Sequence, residues 1–373
     1  MKSQRKKKIA HVIYDLATAG AQTVVMNYMR SMYNDEDYES YVIVGNSYSG
    51  LPYEEEAKEK GFNVVYANYV PTTLSGPLRP VVNWFRYQNS LYKALKLVNP
   101  DIIHTHLMNI LPFVAIPILL LNKKKVHTLH SDPYAIPYRF YIFAMIVFHL
   151  FRFKVIGVTE NQSEKARKRY HLKNIPVVHN GLNLEKYKLS ESKSDIRKEL
   201  GIAEDAFVIG TVGRLDKIKN YPFLIKVFAG VVKEIPNAKL LFVGDGIERR
   251  HLTTMVNDMN LTSCVIFAGL RKDVERMYHA MDVFAMTSFF ESSSIVTVEA
   301  QACGVRCVIA DSIPKNVIVT KNVTSLSLDA PIDTWVLAMK GEYEKMPQIS
   351  DMSLFSMDTP KLAHVLAGES RYV

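Results

Sequence analysis

The feature that most constrains this chain is a rhythm. Short, continuously apolar, β-rich runs alternate with helical patterns along nearly its whole length. In the first half the candidate strands are 9–14, 41–45, 63–66, 101–105, 125–129, 154–158 and 176–178. In the second half they are 207–212, 239–243, 265–267, 283–286 and 306–310. A strand that is apolar at every residue must be covered on both faces, and helices between strands supply that cover. The pattern therefore predicts parallel sheets buried between helical layers. It restarts near residue 205, after the polar stretch 190–195. A chain of 373 residues is too long for one ordinary core and comfortable as two. The restart accordingly predicts an α/β protein of two doubly wound domains.

Charge divides along the same line. Residues 1–180 hold 23 basic and 13 acidic side chains, a net of +10, whereas 181–373 hold 23 and 24, a net of −1. A nucleic-acid binder would be basic throughout, so the asymmetry points instead to different partners for the two halves. The three cysteines (Cys264, Cys303 and Cys307) show no metal-binding spacing and read as buried, reduced thiols of a cytoplasmic protein. The basic start, Met1 to Lys8, imitates a secretory n-region. The apolar run behind it breaks at Asp15 and reads as a strand. Of the longest apolar stretches, 110–121 is too short to span a membrane and carries two prolines. The other, 134–153, contains Arg139, His149 and Arg152 and is strongly aromatic. It reads either as a core or interdomain helix, or as an interfacial helix with basic residues facing headgroups.

In doubly wound sheets, ligands bind at the carboxyl ends of the strands, so polar residues following strands are the candidates for chemistry. After the first strand, Gly20 opens a helix, in a turn that lets a ligand approach the helix N-terminus. The turn is not GxGxxG, and no ribose-binding acid stands where a dinucleotide would need one. In the second half, Gly213-Arg214 and Lys219-Asn220 follow a strand. A guanidinium fork and an ammonium five residues apart suit a diphosphate. Gly244-Asp245-Gly246 brings main chain close to the same strand end. The densest signal runs from Phe289 to Gly304. Ser292, Ser293 and Ser294 cap an apolar helix, an anion-binding arrangement, with Glu291 just outside it. Glu299, an acid within that apolar helix, needs a partner or a ligand, and a ribose diol would satisfy it.

These residues resemble the retaining GT-B glycosyltransferases of family 4. Glu291 and Glu299 have that family's E-x7-E spacing, Gly213-Arg214…Lys219-Asn220 looks like its phosphate clamp, and His179-Asn-Gly-Leu-Asn183 is similar to its domain-junction segment. Glu299-Ala-Gln-Ala-Cys-Gly304 followed by Asp311-Ser-Ile-Pro is similar to the bacterial capsule and exopolysaccharide branch. The sequence departs from the family at two places. Three serines follow Glu291 in place of a glycine, and Ala19-Gly20-Ala21-Gln22 replaces Gly-Gly-x-Glu.

The resemblance implies a GT-B fold, two Rossmann-like domains facing across a cleft. Residues 1–178 would be the acceptor side and 179–349 the nucleotide-sugar donor side, with 350–373 forming a helix that crosses back to the first domain. Arg214 and Lys219 would bind the donor diphosphate and Glu299 the ribose. Glu291 and His130 would be the catalytic pair at the transferred sugar, with His106 as runner-up to His130. Gly20, Ser292, Ser293 and Ser294 would line the donor, and Gly244 and Arg271 are further candidates. Neither a cofactor nor a metal is expected, because fixed cations neutralise the leaving group. The expected partners are a nucleoside-diphosphate sugar, a UDP sugar first, and a glycan or lipid-linked acceptor at an anionic membrane surface on the cytoplasmic side, with no nucleic acid. Two alternatives share the architecture: a nucleotide-sugar epimerase, and a non-catalytic partner subunit.

Overall fold

The structure, a computed structural model, describes residues 5–17, 20–108, 111–180, 182, 184–291 and 294–341. The segment 350–373, with its expected crossing helix, lies outside the described residues. So do Ser292, Ser293 and Asn183. The chain divides into two compact units that meet at 181/182.

The first unit holds one six-stranded sheet: β1 (Lys7–Ile13), β2 (Tyr38–Val44), β3 (Asn63–Tyr66), β4 (Ile102–His106), β5 (Lys124–Thr128) and β6 (Lys154–Ile156), in the order β3-β2-β1-β4-β5-β6. All neighbours are parallel. The second unit repeats the winding with β7 (Val208–Val212), β8 (Lys239–Val243), β9 (Val265–Gly269), β10 (Val283–Met286), β11 (Arg306–Ala310) and β12 (Val323–Leu326), in the order β12-β11-β10-β7-β8-β9. These neighbours are parallel too. In each unit the first three strands build outward from the first. The fourth then returns to its other side. The loops leaving β1 and β4, and those leaving β7 and β10, therefore diverge over one point at the carboxyl ends, where such sheets bind ligands.

The central strands are apolar because they are enclosed: every residue of β7 and of β11 is buried. The covering helices carry the complementary stripe. Tyr221–Glu234 begins with Pro222 in its first turn and buries Leu224, Ile225, Phe228 and Val231, spaced by three and four residues. Two differences from the sequence expectation have local causes. Residues 176–178 form only an isolated bridge, Gly157 to Val177, because Pro176 has no N–H to extend a ladder. β12 is a half-exposed edge strand, Val-Thr-Ser-Leu, so it lacks the continuous apolar run that marks the others.

The aromatic stretch 134–153 contains the α-helix Tyr138–Met145, which runs into a π-helical turn, Ile146–Leu150. Ala144, Val147 and Phe148 are buried on one face, while Tyr138, Ile142, Ile146 and Leu150 are exposed at four-residue spacing. One helix thus serves as core on one side and leaves an apolar stripe open on the other. No described helix is long and apolar enough to cross a membrane. All three cysteines are free, with Cys303 and Cys307 buried.

The two inner strand ends of the second unit touch through glycines. Gly213 N–H donates to the Val243 carbonyl at 2.9 Å. Gly244, at φ +130°, leaves room where a Cβ would lie 2.1 Å from the Gly213 carbonyl oxygen. Gly244→Ala should therefore lower stability by about 2–4 kcal/mol, from combined backbone strain and overpacking. Urea denaturation of the two proteins measures it, and a change below about 0.5 kcal/mol would contradict the close approach.

Candidate active site

The second unit assembles its candidates at its switch point. Lys219 comes from the loop after β7 and Glu291 from the loop after β10, adjacent strands far apart in sequence. Lys219 Nζ lies 2.6 Å from Glu291 Oε1, and Ser288 Oγ donates to the same oxygen at 2.9 Å. Both charged side chains are largely buried, which strengthens the pair relative to a surface contact. Thr287 Oγ1 donates to the Lys219 and Asn220 carbonyls at 3.2 Å, tying the two loops together. Arg214 differs: its side chain is 71% exposed and holds Asp216 at 2.8 Å, two residues along its own loop. It is an exposed cation in the loop that leaves the same strand.

Glu299 sits in the helix Ile295–Ala302 and is buried. Its partner is the protein itself. The Tyr187 hydroxyl donates to Oε1 at 2.9 Å and the Tyr278 hydroxyl donates to Oε2 at 2.8 Å. Burial raises the carboxyl pKa above its usual value, and the two phenols partly oppose that rise. Sequence reasoning recognised that this acid needed a partner but missed both tyrosines, which come from segments 112 and 21 residues away.

Ser294 occupies the N-cap position of the same helix, yet its hydroxyl makes no cap bond. Instead it turns inward to Thr297 Oγ1 at 2.8 Å and to the Met286 sulfur. The hydroxyl is thus spent within the fold, and what Ser294 contributes to an anion site is backbone at the helix end. Arg271 is likewise engaged away from the switch point, against Asp273 at 2.7 Å and Glu199 at 3.2 Å.

The first unit gathers histidines. His11 on β1, and His104 and His106 on β4, share one face of the sheet at its switch point, with His11 and His104 in register. His106 Nδ1 lies 3.0 Å from Nε2 of His130, in the loop after β5. Gln162 holds that loop: its amide N–H donates to the Ser131 carbonyl and its oxygen accepts from Val158 N–H, both at 2.9 Å. Burial lowers the pKa of His130 to about 4 and that of His11 to about 3, so both are neutral at physiological pH. His130 therefore offers hydrogen bonds and no positive charge. Gly20 opens the helix Gly20–Met32 with no neighbouring atom within 4 Å of the place a Cβ would take. Gln22, where the resembled family has an acid, donates to Asp15 Oδ1 at 2.8 Å and braces the turn. His11 was absent from the sequence candidates. Nothing in its strand context, Ile9-Ala-His-Val-Ile13, separates it from a packing residue.

Comparison with known proteins bears on the class of the chain. Residues 18–186 match the family model described as Glycosyltransferase Family 4, and residues 192–340 match that described as Glycosyl transferases group 1. The chain is 28% identical over 347 residues to EpsF of Bacillus subtilis (strain 168), which carries a glycosyltransferase name. That match covers 88% of this chain and 86% of EpsF. It is 27% identical over 353 residues to the UDP-Gal:alpha-D-GlcNAc-diphosphoundecaprenol alpha-1,3-galactosyltransferase of Escherichia coli, covering 91% and 89%. Among solved structures it resembles HepE of Anabaena in complex with UDP and glucose, with a TM-score of 0.79 and 20% identity over 97% of this chain and 100% of that one. The last likeness shows the fold. The chain is a glycosyltransferase of the EC 2.4 class. More narrowly, it is a GT-B glycosyltransferase of the family 4 and group 1 type, whose two six-stranded parallel sheets match those of its structural neighbours.

The capped carboxyl of Glu299 carries a pH signature. Its pKa is raised in the fold, so its contribution to stability is fully present below the ordinary carboxylate pKa and is lost as pH rises through the folded value. Tyr278→Phe removes one donor from the ionised form. It should cost about 1–3 kcal/mol near pH 8 and clearly less near pH 5, in urea denaturation at the two pH values. An equal loss at both would show that the phenol does not serve the carboxylate.

Proposed function

We propose that this protein is a retaining glycosyltransferase that moves a sugar from a nucleoside-diphosphate sugar, a UDP sugar first, to a lipid-diphosphate-linked glycan in surface polysaccharide assembly. The observation that carries the donor half is the Lys219–Glu291 pair, 2.6 Å apart at the switch point of the second unit, beside the Gly213–Gly244 contact. A diphosphate laid against these glycines meets the Lys219 ammonium. The exposed Arg214 guanidinium can exchange Asp216 for a phosphate oxygen, and the backbone at the N-terminus of Ile295–Ala302 adds donors. Ser292 and Ser293 belong to this reading on the resemblance alone. Glu299 takes the ribose, with Tyr187 and Tyr278 holding its carboxyl in place. His130 is assigned to the transferred sugar.

In this reaction the bond from the anomeric carbon to the diphosphate oxygen breaks as the acceptor oxygen bonds to the same face. The acceptor proton passes to the leaving phosphate. Neither carboxylate is placed as a covalent nucleophile: Glu291 is held by an ammonium and a hydroxyl, and Glu299 by two phenols. Fixed cations stabilise the developing charge on the leaving group, the role a metal plays elsewhere. The name of the Escherichia coli relative supports a diphosphate-lipid acceptor, and the bound UDP of HepE supports the donor.

Lys219→Ala and Glu299→Ala should each lower transfer at least about 100-fold, measured with UDP sugars and an undecaprenyl-diphosphate-linked acceptor. Wild-type rates in both would remove the assignment. UDP at 100 times its dissociation constant should stabilise the folded protein by about 2.7 kcal/mol. No thermal shift with any nucleoside diphosphate would favour a non-catalytic subunit.

The acceptor half rests on charge and exposed apolar surface. The net +10 of residues 1–180 and the open stripe Tyr138, Ile142, Ile146 and Leu150, flanked by exposed Arg139 and Arg152, fit peripheral docking on an anionic bilayer at the cytoplasmic face. The protein should float with anionic vesicles and be released at 1 M salt, where the Debye length falls to about 3 Å. Ile142→Glu with Ile146→Glu should abolish flotation at low salt. Flotation unchanged by both treatments would place the membrane contact elsewhere.

A further inference from the structure

Three helices cover one face of the first unit's sheet. Arg79–Val98 packs against Leu111–Leu120, which packs against Tyr138–Met145. Their inner side chains, among them Leu91 and Leu95, Val114 and Ile118, and Ala144 and Val147, belong to one buried cluster. Each helix also keeps apolar side chains on its outer side. Ile116 and Leu120 are exposed at four-residue spacing on the middle helix, next in the layer to the open stripe of 138–150. At the start of the first helix Leu78, Val81 and Phe85 are exposed at spacings of three and four residues. Trp84 Nε1 and Gln88 Nε2 both donate to the Pro112 carbonyl, at 3.1 and 3.0 Å, which turns this side of the first helix toward the middle one. Val81 and Phe85 lie three residues before those two donors and therefore beside them on the helix surface. Trp84 and Phe85 meet edge to face at 4.8 Å.

The charges of this part of the chain have nearly one sign. Residues 67–153 hold nine basic side chains and two acidic ones, Asp101 and Asp132. Both acids are engaged: Asp101 accepts from Arg5 at 2.7 Å, and Asp132 pairs with Lys165 at 2.5 Å. Arg79, Arg86, Arg139 and Arg152 are exposed. A protein partner would ask such a surface for a set of hydrogen bonds, and its aliphatic and Phe side chains supply none. An anionic bilayer asks for apolar side chains at the acyl boundary, basic ones at the headgroups and Trp or Tyr between them.

We infer that the three helices form one continuous footing on an anionic bilayer, in which Leu78, Val81, Trp84 and Phe85 enter the acyl–headgroup boundary together with the 138–150 stripe. The inference rests on the docking proposed above and adds to it a second insertion element and an orientation. A single helix on the membrane leaves the unit free to tilt about that helix. A layer of helices lies parallel to the sheet it covers, so a unit resting on three of them holds its strands along the membrane plane. The carboxyl ends of β1 and β4 then open along the bilayer surface, about 10 Å above it, which is one helix diameter. The sugars beyond a headgroup-level diphosphate stand at that height.

Tryptophan fluorescence reads this footing, because the chain has two tryptophans: Trp84 on this face, and Trp335, fully buried in the second unit. The full chain is bound to vesicles of phosphatidylcholine and phosphatidylglycerol with bromine on the acyl chains. Bromine should quench the Trp84 emission by about half, since an interfacial ring sits within about 10 Å of the acyl boundary. Trp84→Phe should remove that quenching and leave the Trp335 emission unchanged. Val81→Glu with Phe85→Glu, shown to be folded by circular dichroism, should raise the lipid concentration for half-binding about tenfold or more. If that double variant does not fold, quenching in the wild type and its loss in Trp84→Phe decide. Flotation with anionic vesicles but no quenching of Trp84 overturns the inference and leaves docking by 138–150 standing. Binding unchanged in the folded double variant overturns it too. No flotation at all removes both readings, and a concentration-dependent dimer that shields Trp84 overturns the inference by giving the face to a second copy of the chain.

Discussion

Everything in this molecule follows from burying parallel sheets on both faces. A strand such as Val208–Val212, with no residue exposed, can hold no unpaired charge and leaves its polar chemistry to its carboxyl end. The winding of each sheet then decides which ends meet. Because β10 returns to lie against β7, and β4 against β1, loops distant in sequence converge twice. Lys219 with Glu291, and His106 with His11, are products of that topology.

Key polar groups that enter the enclosed region find partners inside it. Glu299 is sequestered by two phenols, and His104 Nε2 lies 2.7 Å from Thr128 Oγ1. In a low-dielectric setting such pairing fixes geometry, since any departure leaves a donor or acceptor unmet. This is the preorganisation that a transferase of this class needs. In the proposed reaction the substrate's charge is carried by the diphosphate, and the protein's task is to hold fixed dipoles and cations against it. The division of labour also accounts for the charge pattern. In that reaction the second unit would need only a few placed cations, while the excess of the first half lies among exposed residues such as Arg79, Arg86 and Arg139.

Much of this was legible in the linear sequence. Strand positions followed from apolar continuity, and those at 63–66, 239–243, 283–286 and 306–310 agree to the residue. The edge strand β12 escaped because, half-exposed, it places Thr and Ser between its two apolar residues and has no apolar run. Lys219, Glu291 and Glu299 were visible as charges placed after strands or within an apolar helix. Ser294 looked like a hydroxyl offered to an anion, but the structure turns it toward Thr297 and Met286, because a hydroxyl beside a buried sulfur and a neighbouring hydroxyl finds partners without leaving the core.

By itself the sequence determined the class: two runs of the same strand–helix rhythm, an acid within an apolar helix, and cations after a glycine turn. These are local properties, fixed by periodicity and by the cost of burying charge. The tertiary structure decided the partnerships. Tyr187 reaches Glu299 across 112 residues, and His11 reaches His106 across 95. Neither contact has a spacing to read, because each depends on which strands the winding sets side by side.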